Sequence, residues 1–329
     1  MSGPTPSATI GLPSGTSLRI ENVCMPTSYD IRNFRWDDLA QMPELFNSVN
    51  SIKGTVKEFN SELIRQILEH PTCKPEENCF VAEINSKLVG FTLVSPEPPI
   101  GRAVAGGGVI ETHRRQGIGR ALLRKAIGRA RGLGVGVFHV QAGLDSTVAR
   151  DLLESEGFAQ VKEYWQMQWR DGSLPPINLP EGMRLRPFKL DQDEEALTIT
   201  QNRAFSEHWG FSPNTVEEIA ARVRMNNSDP DGIVLIAEGD KVAGYNWTIR
   251  NQNEHGSVGF VAMTGVDPDY RGKGLGTAVV VSGMEYLNER NVEAIELEVD
   301  SANEPALALY HKLGFKQVAR TAWFEKTFA

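Results

Sequence analysis

The chain repeats itself, and the repeat limits what it can fold into. The stretch Val109-Ile110-Glu111-Thr112-His113-Arg114-Arg115-Gln116-Gly117-Ile118-Gly119 recurs as Val266-Asp267-Pro268-Asp269-Tyr270-Arg271-Gly272-Lys273-Gly274-Leu275-Gly276, each carrying Arg-x-x-Gly-x-Gly. The spacing is constant: 266 − 109, 271 − 114 and 276 − 119 all equal 157, and so does the distance from Gly157-Phe158 to Gly314-Phe315. Upstream, Leu88-Val89-Gly90-Phe91 matches Val242-Ala243-Gly244-Tyr245, and Ile31-Arg32-Asn33-Phe34 matches Leu185-Arg186-Pro187-Phe188, both at an offset of 154. A gap-free period across several elements means two copies of one unit. A length of 329 residues agrees, being too great for one ordinary core.

Each copy has one order of elements. In the second, Met183 to Phe188 reads as a strand, and the acidic run through Asn202 as a helix carrying Leu197 and Ile199. Ile233 to Glu238 and Val242 to Ile249 are apolar runs around Gly239-Asp240-Lys241, which fits a hairpin. Ser257 to Val266 is a strand that delivers the chain to the glycine-rich turn, Thr277 to Asn288 a helix, and Ile295 to Val299 the next strand. Ala306, Leu309, Tyr310 and Leu313 form the stripe of a last helix that Gly314 closes. The expected class is α/β, a mixed sheet with helices on both faces. Residues 1–17, rich in Ser, Pro, Gly and Thr, read as a mobile tail. The proline cluster within 171–181 reads as a linker between an N-terminal domain (18–170) and a C-terminal domain (182–329).

Composition narrows the partners. A net charge of −8 argues against nucleic acid, and no apolar run is long enough for a bilayer. Three cysteines, Cys24, Cys73 and Cys79, have no metal-ligand spacing and read as reduced thiols of a cytoplasmic protein. No metal is expected, and oligomeric state is not legible.

The glycine-rich turn is where chemistry concentrates. Backbone N–H groups at a helix N-terminus make a cradle for phosphate, and glycines let an anion approach the chain. A Walker loop is excluded, since Lys273 lies between the glycines; a dinucleotide fingerprint is excluded by Val279. What remains, Arg271, Gly274 and Gly276, resembles the coenzyme A pyrophosphate loop of the GCN5-related N-acetyltransferases. Both halves resemble that family, and the tandem arrangement is similar to mycothiol synthase-like two-domain acetyltransferases.

The resemblance implies two acyl-CoA N-acyltransferase domains with a splayed central sheet, and acetyl-CoA as acyl donor. It places Met263, Thr264, Gly265 and Val266 along the pantetheine arm, with Gly272, Lys273, Gly274, Leu275, Gly276 and Thr277 on the pyrophosphate beside Arg271. It also assigns Asn303 to the cofactor and Tyr310 to protonation of the leaving thiolate. The Val266 amide is the candidate oxyanion donor. By spacing alone Tyr310 is equally a core aromatic, Asn303 a helix cap and Arg271 a solvated charge.

The first copy departs from the pattern. Offset 157 maps Tyr310 to Leu153 and Asn303 to Ser146, and Glu111 stands where the second copy has Pro268. Its loop, with Val109, Arg114, Arg115, Gln116, Gly117, Ile118, Gly119 and Arg120, is intact and basic, as Arg124 and Lys125 extend it. This half is expected to bind coenzyme A without transferring, or to be wholly structural with a solvated basic face. For the acceptor, a small-molecule primary amine, Glu207 and His208 are candidate bases and Trp209 a candidate wall. His255 is a further candidate base. The carboxylate that the family carries on the strand before the loop is replaced near Phe260. Two functions stay open: acetyl transfer in the second domain, or a non-catalytic acyl-CoA-binding regulatory or scaffold protein.

Overall fold

A computed structural model describes residues 28–50, 59–253 and 256–328. The expected tail, Cys24 and His255 lie outside them. The first copy contributes β1 (Asp30–Asn33), α1 (Met42–Asn50), α2 (Ser61–Leu68), α3 (Pro75–Asn78), β2 (Cys79–Ile84), β3 (Lys87–Glu97), β4 (Arg102–Val109), α4 (Ile118–Gly132), β5 (Val137–Gly143), α5 (Thr147–Ser155) and β6 (Ala159–Trp169). The second contributes β7 (Met183–Pro187), α6 (Glu194–Phe205), α7 (Val216–Val223), β8 (Ser228–Glu238), β9 (Lys241–Asn253), β10 (Gly256–Val266), α8 (Leu275–Glu289), β11 (Ala294–Asp300), α9 (Glu304–Lys312) and β12 (Lys316–Thr327). The order expected from the repeat is present in both halves. Ile199 differs: Leu197 is buried, but Ile199 is 52% exposed on the outer side of α6.

All twelve described strands form one open mixed sheet, ordered β1-β2-β3-β4-β5-β12-β6-β11-β10-β9-β8-β7. The two copies trade their last strands. β12 lies antiparallel between β5 and β6, while β6 pairs with β11 from Ile295↔Trp169 to Asp300↔Tyr164. Each half therefore has its sheet completed by the other. The repeat is visible as an approximate twofold axis through this seam. Tyr164 and Thr321, equivalent at 321 − 164 = 157, are register partners across β6 and β12. Gln141 and Glu298 are equivalent by the same offset and touch directly, Gln141 Nε2 donating to Glu298 Oε1 at 2.6 Å.

Side chains alternate across the sheet. On one face α4 and α5 cover Phe138, Ala322 and Phe324, and α8 and α9 cover Met167, Ile295, Leu297 and Val299. These two cores bury most of the large apolar side chains at the seam. The other face carries His139 and Gln141 on β5, Thr321, Trp323 and Glu325 on β12, Tyr164, Gln166 and Gln168 on β6, and Glu296, Glu298 and Asp300 on β11. Farther out, α1 and α2 cover one end of that face and α6 and α7 the other, over separate cores. The proline-rich stretch 171–181 is packed: Leu174, Ile177 and Leu179 lie against the core under α8 and α9.

Both halves use one bracket at their start. Arg32 grips Asp38 through two bonds of 2.7 and 2.8 Å, and Arg186 grips Asp193 through bonds of 2.6 and 2.8 Å. Such forked guanidinium–carboxylate pairs fix geometry as well as charge. Their bonds to arginine and to backbone N–H groups hold both aspartates below the usual carboxylate range, against a burial that by itself would raise them.

A candidate acyl-transfer site where two parallel strands part

In the second half β10 and β11 run parallel, but only as Val258↔Ala294, Gly259↔Ile295 and Phe260↔Glu296. Beyond that rung each strand keeps only its outer partner, β10 with β9 and β11 with β6. A wedge opens between them. A β-bulge at this point, where the β9 register skips between Val261 and Met263, bends β10 away. The segment Met263 to Val266 lines the wedge. Asp267 N–H donates back to Ala243 at 2.9 Å, so alternation turns the Val266 N–H the other way, into the gap.

Past the wedge the chain makes a short 3₁₀ turn, Pro268–Tyr270, and enters α8 through Gly274 at φ 79°. That left-handed N-cap and Gly272 at φ 78° are conformations that favour glycine. A Cβ added at Gly272, Gly274 or Gly276 would meet nothing within 4 Å, so the cradle is open above all three. The amides of Gly272, Lys273 and Gly274 donate to no oxygen among the described bonds, and Leu275, Gly276 and Thr277 form the first turn of α8. Open space over unpaired donors at a helix N-terminus fits a pyrophosphate. Arg271 tethers the loop from behind, donating to the Ala204 carbonyl at 2.9 Å, and Lys273 lies 4.8 Å over the Tyr270 ring. Arg203 of α6 binds Asp267 at 2.6 and 3.1 Å and Asp269 at 2.8 Å, fixing the approach to the turn.

Tyr310 sits on the helix-covered side of β11, in the core that holds Leu297 and Val299. It is 8% exposed, and burial pushes its phenol up to about 12. The group therefore keeps its proton at neutral pH, and the same burial makes it a weaker acid than a free phenol. The helix end holds it in place. Gly314 N–H bonds the His311 carbonyl and Phe315 N–H the Tyr310 carbonyl, both at 3.0 Å, and the Tyr310 and Phe315 rings meet at 5.8 Å. That is a Schellman close with its apolar contact. Asn303 caps α9, accepting from Ala306 N–H at 3.2 Å.

The first half repeats the wedge with differences. β4 and β5 pair from Arg102↔Val137 to Ala105↔Val140 and then part at Gly106, Gly107 and Gly108. No bulge bends β4, whose register with β3 is continuous. The Val109 N–H faces the gap, because Ile110 N–H returns to Val89 at 3.0 Å. Gly117 is the left-handed N-cap of α4 at φ 85°, and Arg115 takes the place of Gly272 at φ 63°. Tyr29 Oη stands 3.5 Å from where a Gly117 Cβ would be, so this cradle is narrower; Gly119 has Leu152 and Val109 close by. Arg120 and Arg124 are drawn onto Glu156 at 3.5 and 3.0 Å, while Arg114 donates to the Val109 carbonyl at 3.0 Å. Gln116 and Ile118 complete the turn, with Ile118 buried. Leu153 fills the place of Tyr310, and Ser146 caps α5 as Asn303 caps α9.

The acceptor-side residues named from the sequence separate from one another. The Glu207 side chain is 83% exposed and lies 3.5 Å from Arg271. His208 packs at a tilt against Phe205, ring centroids 4.6 Å apart, and burial, aided by Arg271, holds its imidazole below the ordinary range. It is therefore neutral near pH 7. Trp209 crosses to the other half, 5.0 Å from the His139 ring and 6.2 Å from Trp323. Sequence reasoning missed the polar face beneath it. There His139 Nε2 meets Glu325 at 2.9 Å, and Gln168 donates to the buried Glu296 at 2.8 Å. These two pairs are equivalents under the 157 offset. Alternating Glu296, Glu298 and Asp300 on a strand was the available signal.

A parallel pair wedged open beside an unpaired-amide cradle is an arrangement suited to an acyl thioester; it occurs in both halves, and the second alone has a phenol at the position that Leu153 fills in the first. The chain belongs to the acetyltransferase (GNAT) family, whose model matches residues 36–158 and again 195–315. It is an acetyltransferase of tandem form. It is 35% identical over 235 residues to a mycothiol acetyltransferase of Thermomonospora curvata, spanning 70% of this chain and 76% of that one. The fold also resembles a tandem GNAT protein from the clavulanic acid biosynthesis pathway, with a TM-score of 0.70, 18% identity, and 91% and 98% of the two chains covered. Saccharomyces cerevisiae N-myristoyltransferase with bound myristoyl-CoA gives a TM-score of 0.69 at 13% identity, over 92% and 78%. Among the described residues no helix is long and apolar enough to cross a membrane, and no group of three or more His, Cys, Asp or Glu could hold a metal.

Proposed function

We propose that this protein moves an acetyl group from acetyl-CoA to the primary amine of a small molecule, by direct attack in a ternary complex within the half formed around residues 182–329. The observation that carries this reading is the one-sided presence of Tyr310. Both halves have a wedge and a cradle, but only the second has a phenol behind the wedge and a bulge that bends its strand. The donor supplies a carbonyl carbon and a thiolate leaving group. Amides from Gly272 to Thr277 take the pyrophosphate, the wedge edge from Met263 to Val266 takes the pantetheine arm, and Val266 N–H faces the position of a carbonyl oxygen. Tyr310 gives its proton to the departing sulfur. Asn303, already bonded to its own helix, serves by setting the start of α9.

The half formed around residues 18–170, joined through 171–181, binds an acyl-CoA in the open part of its cradle and does not transfer. The name of the relatives points to an acceptor of the mycothiol-related kind. The free thiols Cys73 and Cys79 suit a reducing cytoplasm. The test is coenzyme A release from acetyl-CoA with a panel of primary amines, for the wild type and Tyr310→Phe. Turnover that depends on an amine and on Tyr310 supports the reading; binding of acetyl-CoA with no turnover for any amine ends it.

A further inference from the structure

We propose that Glu298 is the residue that takes the acceptor's proton, and that Gln141 and Thr321 are positioning residues that hold its carboxylate across the seam. The inference rests on the transfer reading above and goes beyond it by assigning the base. Four observations support the choice. Glu298 stands two residues past Phe260↔Glu296, the last rung before β10 and β11 part, so its backbone borders the wedge while its carboxylate reaches over β6, one water's length from the gap or more. It projects to the face opposite Leu297, Val299 and Tyr310. A base on one face and an acid on the other is the arrangement that a displacement through the sheet needs: the amine arrives from the polar side and the thiolate leaves toward the helices.

The carboxylate is also held. Gln141 Nε2 and Thr321 Oγ1 both donate to Oε1 at 2.6 Å, and Gln141 Nε2 lies 3.0 Å from Thr321 Oγ1. Two donors on one oxygen fix the rotamer of an exposed side chain and leave Oε2 for a ligand. Its flanking carboxylates on the same strand face are engaged, Glu296 with Gln168 and Asp300 with Lys162 at 2.7 Å. Finally, Gln166 is the register partner of Glu298 on β6, is only 5% exposed, and has a buried Oε1 with no donor among the described residues. A carboxylate oxygen next to a buried, unpartnered amide oxygen suits an ammonium, which has donors and no acceptor.

The step balances. An acceptor bound as ammonium first loses one proton to solvent. The amine nitrogen then forms its bond to the acetyl carbon and its remaining surplus proton passes through a bridging water to Glu298 Oε2; the carbon–sulfur bond breaks and the thiolate takes the Tyr310 proton. Solvent afterwards takes the proton from Glu298 and restores that of Tyr310. Because β12 and β5 carry Thr321 and Gln141, the base is oriented only when both halves are assembled.

The test uses the full chain with acetyl-CoA and D-glucosamine, L-serine methyl ester or L-cysteine methyl ester, measuring coenzyme A by chromatography. Glu298→Gln, isosteric and exposed, lowers kcat at least a hundredfold, in the range of a lost general base, with acetyl-CoA affinity by calorimetry within about twofold. The amine that turns over raises the Tm of the wild type and not that of Glu298→Gln. Thr321→Val lowers kcat about fivefold to tenfold, the size of one ordinary hydrogen bond, and Thr321→Ser restores it. Wild-type turnover in Glu298→Gln overturns this role alone. Failure of every amine with the wild type overturns the transfer reading, and this role falls with it.

Discussion

The two halves share a fold and differ in what their wedges are equipped to do. The second half bends β10 with a bulge, keeps three open glycines in its loop and stands Tyr310 behind the gap. The first has an unbulged β4, a cradle overlooked by Tyr29, and Leu153 behind the gap. Even the brace under the loop differs. Arg203 and Asp267 form an ion pair in the second half; their equivalents at offsets 154 and 157 are Val49 and Ile110, which pack on an apolar cluster. The parts that hold the chain together are common to both copies, and the differences fall around the wedges and cradles. The lesson is that the repeat predicts architecture for both halves, while the proposed chemistry rests on side chains that only one of them carries.

Exchanging the distinguishing side chain breaks the comparison most directly. Tyr310→Phe is expected to lower kcat by about a hundredfold or more, the worth of a positioned acid, whereas Leu153→Met leaves the rate within about twofold. Steady-state rates of coenzyme A release check both. A smaller effect follows from the caps. Gly274→Val and Gly117→Val each place a β-branched residue at a left-handed position, costing about 1–2 kcal/mol locally. The first variant loses turnover and one acetyl-CoA site by calorimetry; the second loses only a site. Smaller again, Arg203→Leu is expected to raise the KM for acetyl-CoA about threefold through a looser loop approach, since this ion pair is largely solvent-screened.

The smallest effect concerns pH. Burial holds His70, His139 and His208 below the ordinary imidazole value, Arg222, Arg102 and Arg271 adding to the shift respectively. The folded protein therefore binds fewer protons at these sites than the unfolded chain. Their stability contribution is present above about pH 6.5 and is lost as pH falls below it. Tm should drop by a few degrees between about pH 6.5 and 5. His139→Asn should flatten that slope more than Glu207→Gln, which alters only an exposed ion pair.

Much of this was legible in the sequence because it is local. Strand, loop and helix follow from glycine positions and apolar spacing, and Gly314 announced the close that holds Tyr310. Apolar character does not by itself fix burial: Leu197 is buried on α6, whereas Ile199 faces outward. The exchange of β6 and β12 was invisible, since strand partners at a seam depend on which edges meet and not on periodicity. With it went the polar face: Gln141 and Glu298 are far apart in the chain, and no window around either shows that they touch. Trp209, read as a candidate wall of the acceptor site, has its ring beside His139 and Trp323, a neighbourhood that no stretch of sequence around it shows.

The traded strands also bear on synthesis. On a ribosome, the first sheet cannot be finished when its own residues have emerged, because the slot between β5 and β6 belongs to residues 316–327. Until then the nascent polypeptide carries an unfilled strand position of the kind that invites mispairing. Completion of the first lobe is therefore a late event, timed by the emergence of β12 from the exit tunnel.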